Sequence, residues 1–224
     1  MVEVLRMANL RNEIDLYIQE LLSLQFKASK NISHNLTKGE LREKFVKQVV
    51  LSQYPNLSLE SGILIDGEWQ STQGDFIWLK ENARVGNFNL YELGDCNLFM
   101  EIKSNSTHGE IVHLNNIAAE IHTRAKAIDE NSRIIVGMFC YSTEASDKTV
   151  LKKFGFKYDK ELQGYLNYDA EKDIFKEIDF LVSLNISEDN EASPYMVKRD
   201  FFGNCVLYNN NPIINNFFNY FKSI

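Results

Sequence analysis

The sequence lacks a segment that could span a membrane. No apolar run reaches the roughly 18 residues that a spanning helix needs. The first residues, Met1 to Arg6, also lack the basic start and apolar core of a signal peptide. We therefore expect a cytoplasmic protein with no membrane association.

The sequence has few cysteines, and their spacing does not follow a known pairing motif. Cys96, Cys140 and Cys205 are odd in number, widely spaced and outside any C-x-x-C motif. Neither a disulfide framework nor a zinc site is indicated, and we interpret all three as reduced thiols.

The sequence has fewer basic than acidic residues, which is unusual for a protein that binds nucleic acid. The 24 Lys and Arg residues against 31 Asp and Glu residues give a net charge of -7. No helix-turn-helix or zinc-finger motif is present. Positive charge is nevertheless concentrated locally, at Lys38, Arg42, Lys44 and Lys47, and again at Lys148, Lys152, Lys153, Lys157 and Lys160. Each cluster taken alone is also typical of an ordinary solvated helix face.

The apolar pattern predicts a folded chain with helices and strands in a mixed order. The chain has 224 residues, of which 44% are hydrophobic and 12% aromatic, enough for one large domain. Spacing and turn residues predict a helix over 8–24 and a second helix that is capped by Thr37 and Glu40 and ends before Pro55. Three strands follow, at 57–65, 76–79 and 98–102, then a helix over 111–128 and a strand at 134–140. Further helices are predicted near 146–154, near 170–184 and from 212. The polar stretch 187–194 is predicted to be a loop before a C-terminal appendage.

Two of the predicted strands carry a pair of polar residues two positions apart. Residues i and i+2 of a strand point to the same face, so Gln73 lies beside Asp75, and Glu101 lies beside Lys103. The ordinary alternatives are a strand-start cap or turn for the first pair and a surface cross-strand pair for the second. Two strands with such pairs suggest a site.

The second predicted helix offers two acids and an arginine. At 100° per residue, Glu40 lies with Lys44 and Lys47 on the solvent side, whereas Glu43 lies at the edge of the apolar face. Arg42 lies in the middle of that face, where it would pair with a buried acid or reach a phosphate.

Three segments together resemble a known superfamily. "HNLTKGELREKFV", "SGILIDGEWQSTQGDFIW" and "LFMEIKSN" are similar to the Gly-x-x-Arg-Glu helix, Gln-x-Asp strand and Glu-x-Lys strand of a prokaryotic branch of the PD-(D/E)XK phosphodiesterase superfamily. The resemblance covers about residues 34–140. It implies an α/β restriction-endonuclease-like core, α-β-β-β-α-β, with a mixed central sheet flanked by helices and with N- and C-terminal helical additions. The implied domains are an N-terminal helical extension (1–33), a nuclease-like domain (34–186) and the appendage (187–224).

The resemblance also implies a function and a site. The function is hydrolysis of phosphodiester bonds in nucleic acid, DNA rather than RNA, in restriction or anti-phage defence, with Mg²⁺ as cofactor and Mn²⁺ as a substitute. Asp75 and Glu101 would bind the metal with help from Glu43, and Lys103 would orient or help deprotonate the attacking water. The supporting or substrate-binding residues would be Gln73, Arg42, Lys38, Ser104 and His34.

A second function stays open at this point. The acidic net charge favours a catalytically inactive nuclease-fold module that partners a larger effector, or a nuclease that another protein recruits to its substrate. Retention of the acids and the lysine favours the nuclease. A homodimer is also left open.

Overall fold

The chain folds around one mixed β-sheet with helices on both faces. The computed structural model describes residues 2–81, 83, 87–166, 168–186, 193–209 and 212–222. The helices are α1 (Val2–Ser29), α2 (Asn35–Gln53), α3 (His108–Ile128), α4 (Asp147–Lys153) and α5 (Ile213–Phe218). The strands are β1 (Ser58–Asp66), β2 (Trp69–Leu79), β3 (Leu90–Glu92), β4 (Cys96–Lys103), β5 (Ile135–Cys140), β6 (Lys157–Asp159), β7 (Gly164–Leu166), β8 (Phe180–Ser183), β9 (Tyr195–Arg199) and β10 (Cys205–Asn209).

Eight of these strands form the central sheet. Their order is β10-β9-β8-β5-β4-β2-β1-β3, and β6 pairs only with β7 in a separate hairpin. The neighbours β4, β5 and β8 run parallel, as do β1 and β3, whereas the other neighbouring pairs are antiparallel. The middle of the sheet is therefore a buried parallel unit with antiparallel strands added on both sides.

The two faces of the sheet carry separate apolar cores. On one face α1, α2 and α5 cover side chains that include Phe76, Met100 and Phe180. On the other face α3 and α4 cover side chains that include Ile77, Phe99 and Met138. The expected mixed sheet flanked by helices is thus confirmed.

The start of α2 differs from the prediction. The helix begins at Asn35, and His34 is the N-cap, whose Nδ1 accepts a hydrogen bond from the Thr37 backbone N–H. The predicted capping box of Thr37 and Glu40 is therefore wrong, because an imidazole nitrogen replaces the hydroxyl as acceptor one turn earlier. A complete capping box occurs instead at α3, between Thr107 and Glu110.

The C-terminal third contains more strand than expected. The helix predicted over 170–184 is wrong, because Phe180–Ser183 forms β8 and pairs with β5. All four β8 residues are buried, and a strand buried on both faces shows no alternation that would separate it from a buried helix. Strands β9 and β10 continue the sheet and were missed, as was the short strand β3.

Three further expectations concern burial, membrane spans and loops. All three cysteines are free and buried. Among the described residues, no helix is both long and apolar enough to cross a membrane. The loop predicted at 187–194 falls, up to residue 192, outside the described residues.

Candidate active site

Asp75 lies in the interior of β2, not in a turn before it. The strand spans 11 residues and begins at Trp69, so both Gln73 and Asp75 are strand residues. Asp75 is half-buried, and its Oδ2 accepts a hydrogen bond from the backbone N–H of Ile102 at 2.8 Å. Gln73 is exposed. The carboxylate of Asp75 is therefore fixed against the neighbouring strand β4.

Glu101 and Lys103 lie near the end of β4, inside the sheet. Glu101 is buried, and the Lys103 Nζ lies 3.0 Å from the Glu101 Oε2. The side chain of Lys103 keeps 28% of its surface exposed. Burial opposes the ammonium charge, but the attraction of Glu101 outweighs it and raises the pKa of Lys103. Lys103 is therefore a partly accessible cation held by a buried acid, which differs from a surface cross-strand pair.

The register of the sheet brings the two motifs together. Strands β2 and β4 are antiparallel, and Phe76 pairs with Met100. The pairing with β4 ends there, and the register between β1 and β2 shifts between Glu60 and Gly62, so the alternation of faces along β2 is interrupted at Asp75. Asp75 nevertheless binds the backbone of the residue that follows Glu101, so the two motifs lie against each other on neighbouring strands.

Glu43 brings a third carboxylate from α2. Its side chain is half-buried, whereas Glu40 is exposed. Burial raises the pKa of Glu43, and the nearby carboxylate of Asp75 raises it further. Burial likewise raises the pKa of Asp75. Glu43 is therefore the acid of α2 that faces the site, and repulsion between it and Asp75 would be relieved by a cation.

Lys47 is a site residue that the sequence pattern missed. The helical wheel predicts it on the solvent side, but it is half-buried and donates a hydrogen bond to the Ser61 hydroxyl. That hydroxyl donates in turn to the backbone carbonyl of Asp75 at 2.9 Å. Burial lowers the pKa of Lys47, against the pull of Glu43 and other acids. The only sequence signal for it is its i+4 spacing from Glu43.

Arg42 has serine hydroxyls as partners instead of the expected buried acid. It is buried, donates to the hydroxyl of Ser29 at 2.8 Å and to the hydroxyl of Ser104, and stacks on Phe26 at 4.1 Å. No carboxylate within the described residues forms an ion pair with it. Since Ser104 directly follows Lys103, Arg42 ties α1 and α2 to the end of β4.

Two predicted supporting residues lie at the start of α2. His34 caps the helix, as described above, and its Nδ1 also lies 3.1 Å from the Thr37 hydroxyl. Lys38 lies in the first turn and is half-buried. The contacts that the structure gives His34 are those of a helix cap.

The metal-binding capacity of the site rests on its carboxylates. Asp75 and Glu101 are oxygen donors of the kind that Mg²⁺ prefers. Among the described residues, no three His, Cys, Asp or Glu side chains converge so as to hold one ion. Asp75 and Glu43 lie close enough to interact, but the three carboxylates do not form a preassembled cage, and Glu101 is engaged by Lys103. Carboxylate oxygens are nevertheless of the type that suits a hard cation that keeps several waters.

Comparison with known proteins gives matches in structure alone. No family model and no curated protein matches the chain. NucC of P. aeruginosa ATCC27853, in its cAAA-bound form, aligns with a TM-score of 0.63 at 14% identity, over 92% of this chain and 86% of that chain. NucC of E. coli MS115-1 aligns in its cAAA-bound form with a TM-score of 0.61 at 12% identity, over 92% and 86% of the two chains. Its apo form gives 0.55 at 10% identity, over 94% and 91%. The chain therefore shares the fold of NucC over most of its length.

Proposed function

We propose that this chain is a metal-dependent nuclease of prokaryotic anti-phage defence that hydrolyses phosphodiester bonds, in DNA rather than RNA. The fold supports the general class, since NucC is a nuclease of the PD-(D/E)XK type. The metal and the substrate are proposed from the side chains of the site. Because the net charge is -7, recruitment to nucleic acid by a protein partner is part of the proposal.

One observation carries the proposal. Asp75 is hydrogen-bonded to the backbone of β4 within one residue of Glu101, and Glu101 holds Lys103 at 3.0 Å. An acid of one sequence motif is therefore bound to the strand that carries the acid and the cation of the other. Burying charged side chains in the middle of a sheet costs stability, which is reasonable where their chemistry is used.

The metal would be held by Asp75 and Glu101, with Glu43 in reach through water. Mg²⁺ bound there would neutralise charge on the phosphate oxygens and lower the pKa of a bound water. The Ile102 N–H already holds the Asp75 Oδ2 in position, so Asp75 would bind the ion without moving. Glu101 would turn an oxygen that now faces Lys103 towards the ion.

Lys103 would act as a fixed cation more than as a base. Its raised pKa keeps the Nζ protonated at neutral pH, so it can donate hydrogen bonds to a phosphate oxygen or to the attacking water. Negative charge that grows on the phosphate in the transition state would be stabilised by this ammonium. Its partial exposure leaves it accessible to substrate.

A non-catalytic module with the same fold is the second candidate. The observation that favours it is that no three potential ligands within the described residues converge on an ion. In such a module Glu101 and Lys103 would serve only as a buried ion pair. The two candidates differ in whether the chain cleaves nucleic acid when a divalent metal is supplied.

The test is a cleavage assay on the purified chain. Supercoiled plasmid, linear DNA and RNA are each incubated with Mg²⁺, Mn²⁺ or EDTA, with and without cAAA, because two of the matched NucC structures contain cAAA. We expect cleavage of DNA with either metal and none with EDTA, and we expect Glu101→Gln to remove it. Absence of cleavage under every condition would support the non-catalytic module.

A further inference from the structure

Lysines gather in one groove beside α4, although the chain as a whole is acidic. The groove has a volume of about 570 Å³, and its lining residues are Lys148, Thr149, Lys152, Lys153, Lys172 and Ile174. Three of the five lysines in the second basic cluster of the sequence thus meet there, and none of the described residues that line the groove is an acid. Like charges four residues apart on a helix, as at Lys148 and Lys152, repel each other. An anion bound in the groove would relieve that repulsion.

Acids near the groove act on Lys172. Its Nζ lies 2.6 Å from the Asp169 Oδ2, and Glu171 attracts it as well. Asp147, at the start of α4, accepts a hydrogen bond from the side-chain amide of Asn185 at 3.1 Å. Lys172 therefore contributes little free positive charge to the groove.

The other three lysines of the groove keep their charge available. The Lys148 Nζ lies 4.0 Å from the centre of the Tyr158 ring, and the Lys153 Nζ lies 2.6 Å from the His108 Nε2. Lys152 is exposed. Within the described part of the chain, none of the three forms an ion pair with an acid. We call Lys148, Lys152 and Lys153 the α4 lysines.

The groove is joined to the candidate active site at one edge of the sheet. Lys103 ends β4 and pairs in register with Cys140, the last residue of β5, and α4 follows β5. Helix α3 follows β4 and begins at His108, which contacts Lys153. Two residues further along α3, Glu110 attracts Lys103. A polyanion in the groove therefore lies beside the first turn of α3, next to the candidate site.

We propose that the α4 lysines bind the phosphate backbone of the DNA on which the candidate site acts, an inference that rests on the proposed function. A nucleic-acid backbone is favoured over other anions because its phosphates repeat, so that one molecule contacts both the groove and the site. Such contacts position DNA without reading its sequence. They allow direct contact with DNA by a chain whose net charge is -7.

The first test measures DNA binding in EDTA, so that metal-dependent cleavage does not interfere. Fluorescence anisotropy of a labelled DNA duplex is recorded from low salt upward. At low salt we expect the double variant Lys148→Gln/Lys152→Gln to bind about 10-fold more weakly than the wild type. Each phosphate contact releases counterions, so the slope of log affinity against log salt should become shallower by about 1 for each lysine removed.

The matched control removes two lysines from the opposite edge of the sheet. Lys80 follows β2 and donates its backbone N–H to Asp95, just before β4, and Lys126 lies in the last turn of α3. Both are exposed. The double variant Lys80→Gln/Lys126→Gln has the same net charge as the α4 double variant, yet should keep the affinity and the salt slope of the wild type. Circular dichroism melts check that both double variants stay folded.

The second test needs no variant. The wild type is acetylated by an N-hydroxysuccinimide ester with and without the duplex, and the modified lysines are identified by mass spectrometry. We expect DNA to slow the acetylation of Lys148 and Lys152 and to leave Lys80 and Lys126 unchanged.

Three results would overturn the inference: a wild type that does not bind the duplex even at low salt, equal losses of affinity in the two double variants, or α4 lysines that DNA does not protect. Loss of binding to phosphatidylserine vesicles in the α4 double variant, with DNA binding unchanged, would assign the surface to a membrane instead. Cleavage of DNA by the wild type and the α4 double variant alike, with equal affinities, would refute this inference and keep the nuclease. Binding through the α4 lysines without any cleavage in Mg²⁺ would keep the groove and refute the nuclease.

Discussion

The Asp75 Oδ2 accepts a hydrogen bond from the backbone N–H of Ile102 at 2.8 Å, so one side chain both serves the candidate site and joins two strands. The charge and the hydrogen bond can be separated by mutation. Asp75→Asn keeps an acceptor oxygen for Ile102 but removes the charge, so we expect metal binding and cleavage to be lost while the fold stays stable. Calorimetric titration with Mn²⁺ and urea unfolding measure the two effects.

Asp75→Ala is the comparison variant. It leaves the Ile102 N–H without its acceptor, and we expect a further loss of about 1–3 kcal/mol in the free energy of unfolding. Metal binding by Asp75→Asn as tight as that of the wild type would mean that the carboxylate is structural.

The stability of the metal-free protein should fall as the pH rises. In the folded state the pKa values of Asp75 and Glu43 lie above their ordinary values of 3.8 and 4.5. The folded state therefore binds these protons more tightly than the unfolded state, so stability is highest below about pH 4 as far as these two groups contribute, and declines as each ionises. Urea midpoints between pH 4 and 7 should fall less steeply for Asp75→Asn and Glu43→Gln than for the wild type. Equal slopes in the variants and the wild type would show that folding does not raise the pKa values of the two acids.

Lys47 should hold down the pKa of Glu43. Its ammonium is one of the charges that lower the pKa of Glu43, against burial and Asp75. We therefore expect the Glu43 carboxyl of Lys47→Met to titrate at higher pH. The titration is measured by ¹³C NMR of the side-chain carboxyl. Lys44→Met is the control, because Lys44 is exposed on the same helix. A Glu43 titration that is the same in both variants would remove Lys47 from the site.

The packing of β5 on β8 should be sensitive to a single methyl group. A Cβ added at Gly137 would lie 2.3 Å from the ring of Phe180, which is fully buried. We expect Gly137→Ala to lower the free energy of unfolding by about 1–3 kcal/mol. Gly109→Ala, where the nearest atom would be 3.8 Å away at the start of α3, should cause no loss. Similar urea midpoints for both variants would contradict this account of the β5–β8 contact.

Much of the site could be predicted because its geometry is local. Glu101 and Lys103 form a pair as the i, i+2 rule predicts, and Asp75 lies on the neighbouring strand, where it binds the Ile102 N–H. Glu43 follows from its position at the edge of an apolar helix face. These inferences need only the period of each element and the resemblance to a family.

The remaining features depend on contacts between distant parts of the chain. Lys47 was placed on the solvent side because a helical wheel does not show that β1 brings Ser61 against that side of α2. Arg42 binds Ser29 and Ser104, which lie 13 and 62 residues away, so no local pattern predicts its partners. The sequence predicts a helix where β8 forms, because a run buried on both faces shows no strand period.

The central claim is that Lys103, held by Glu101, serves a metal-dependent cleavage. It is tested most directly by single-turnover cleavage of DNA with Mg²⁺ beside equilibrium binding of the same DNA, for the wild type and Lys103→Ala. Since the ammonium stabilises charge that develops in the transition state, we expect cleavage by Lys103→Ala to fall by about 100-fold or more while affinity stays nearly constant. Lys103→Arg should recover only part of the rate, because a guanidinium does not replace a compact ammonium. Equal losses of binding and cleavage would make Lys103 a phosphate contact, and a wild type that does not cleave would contradict the nuclease itself.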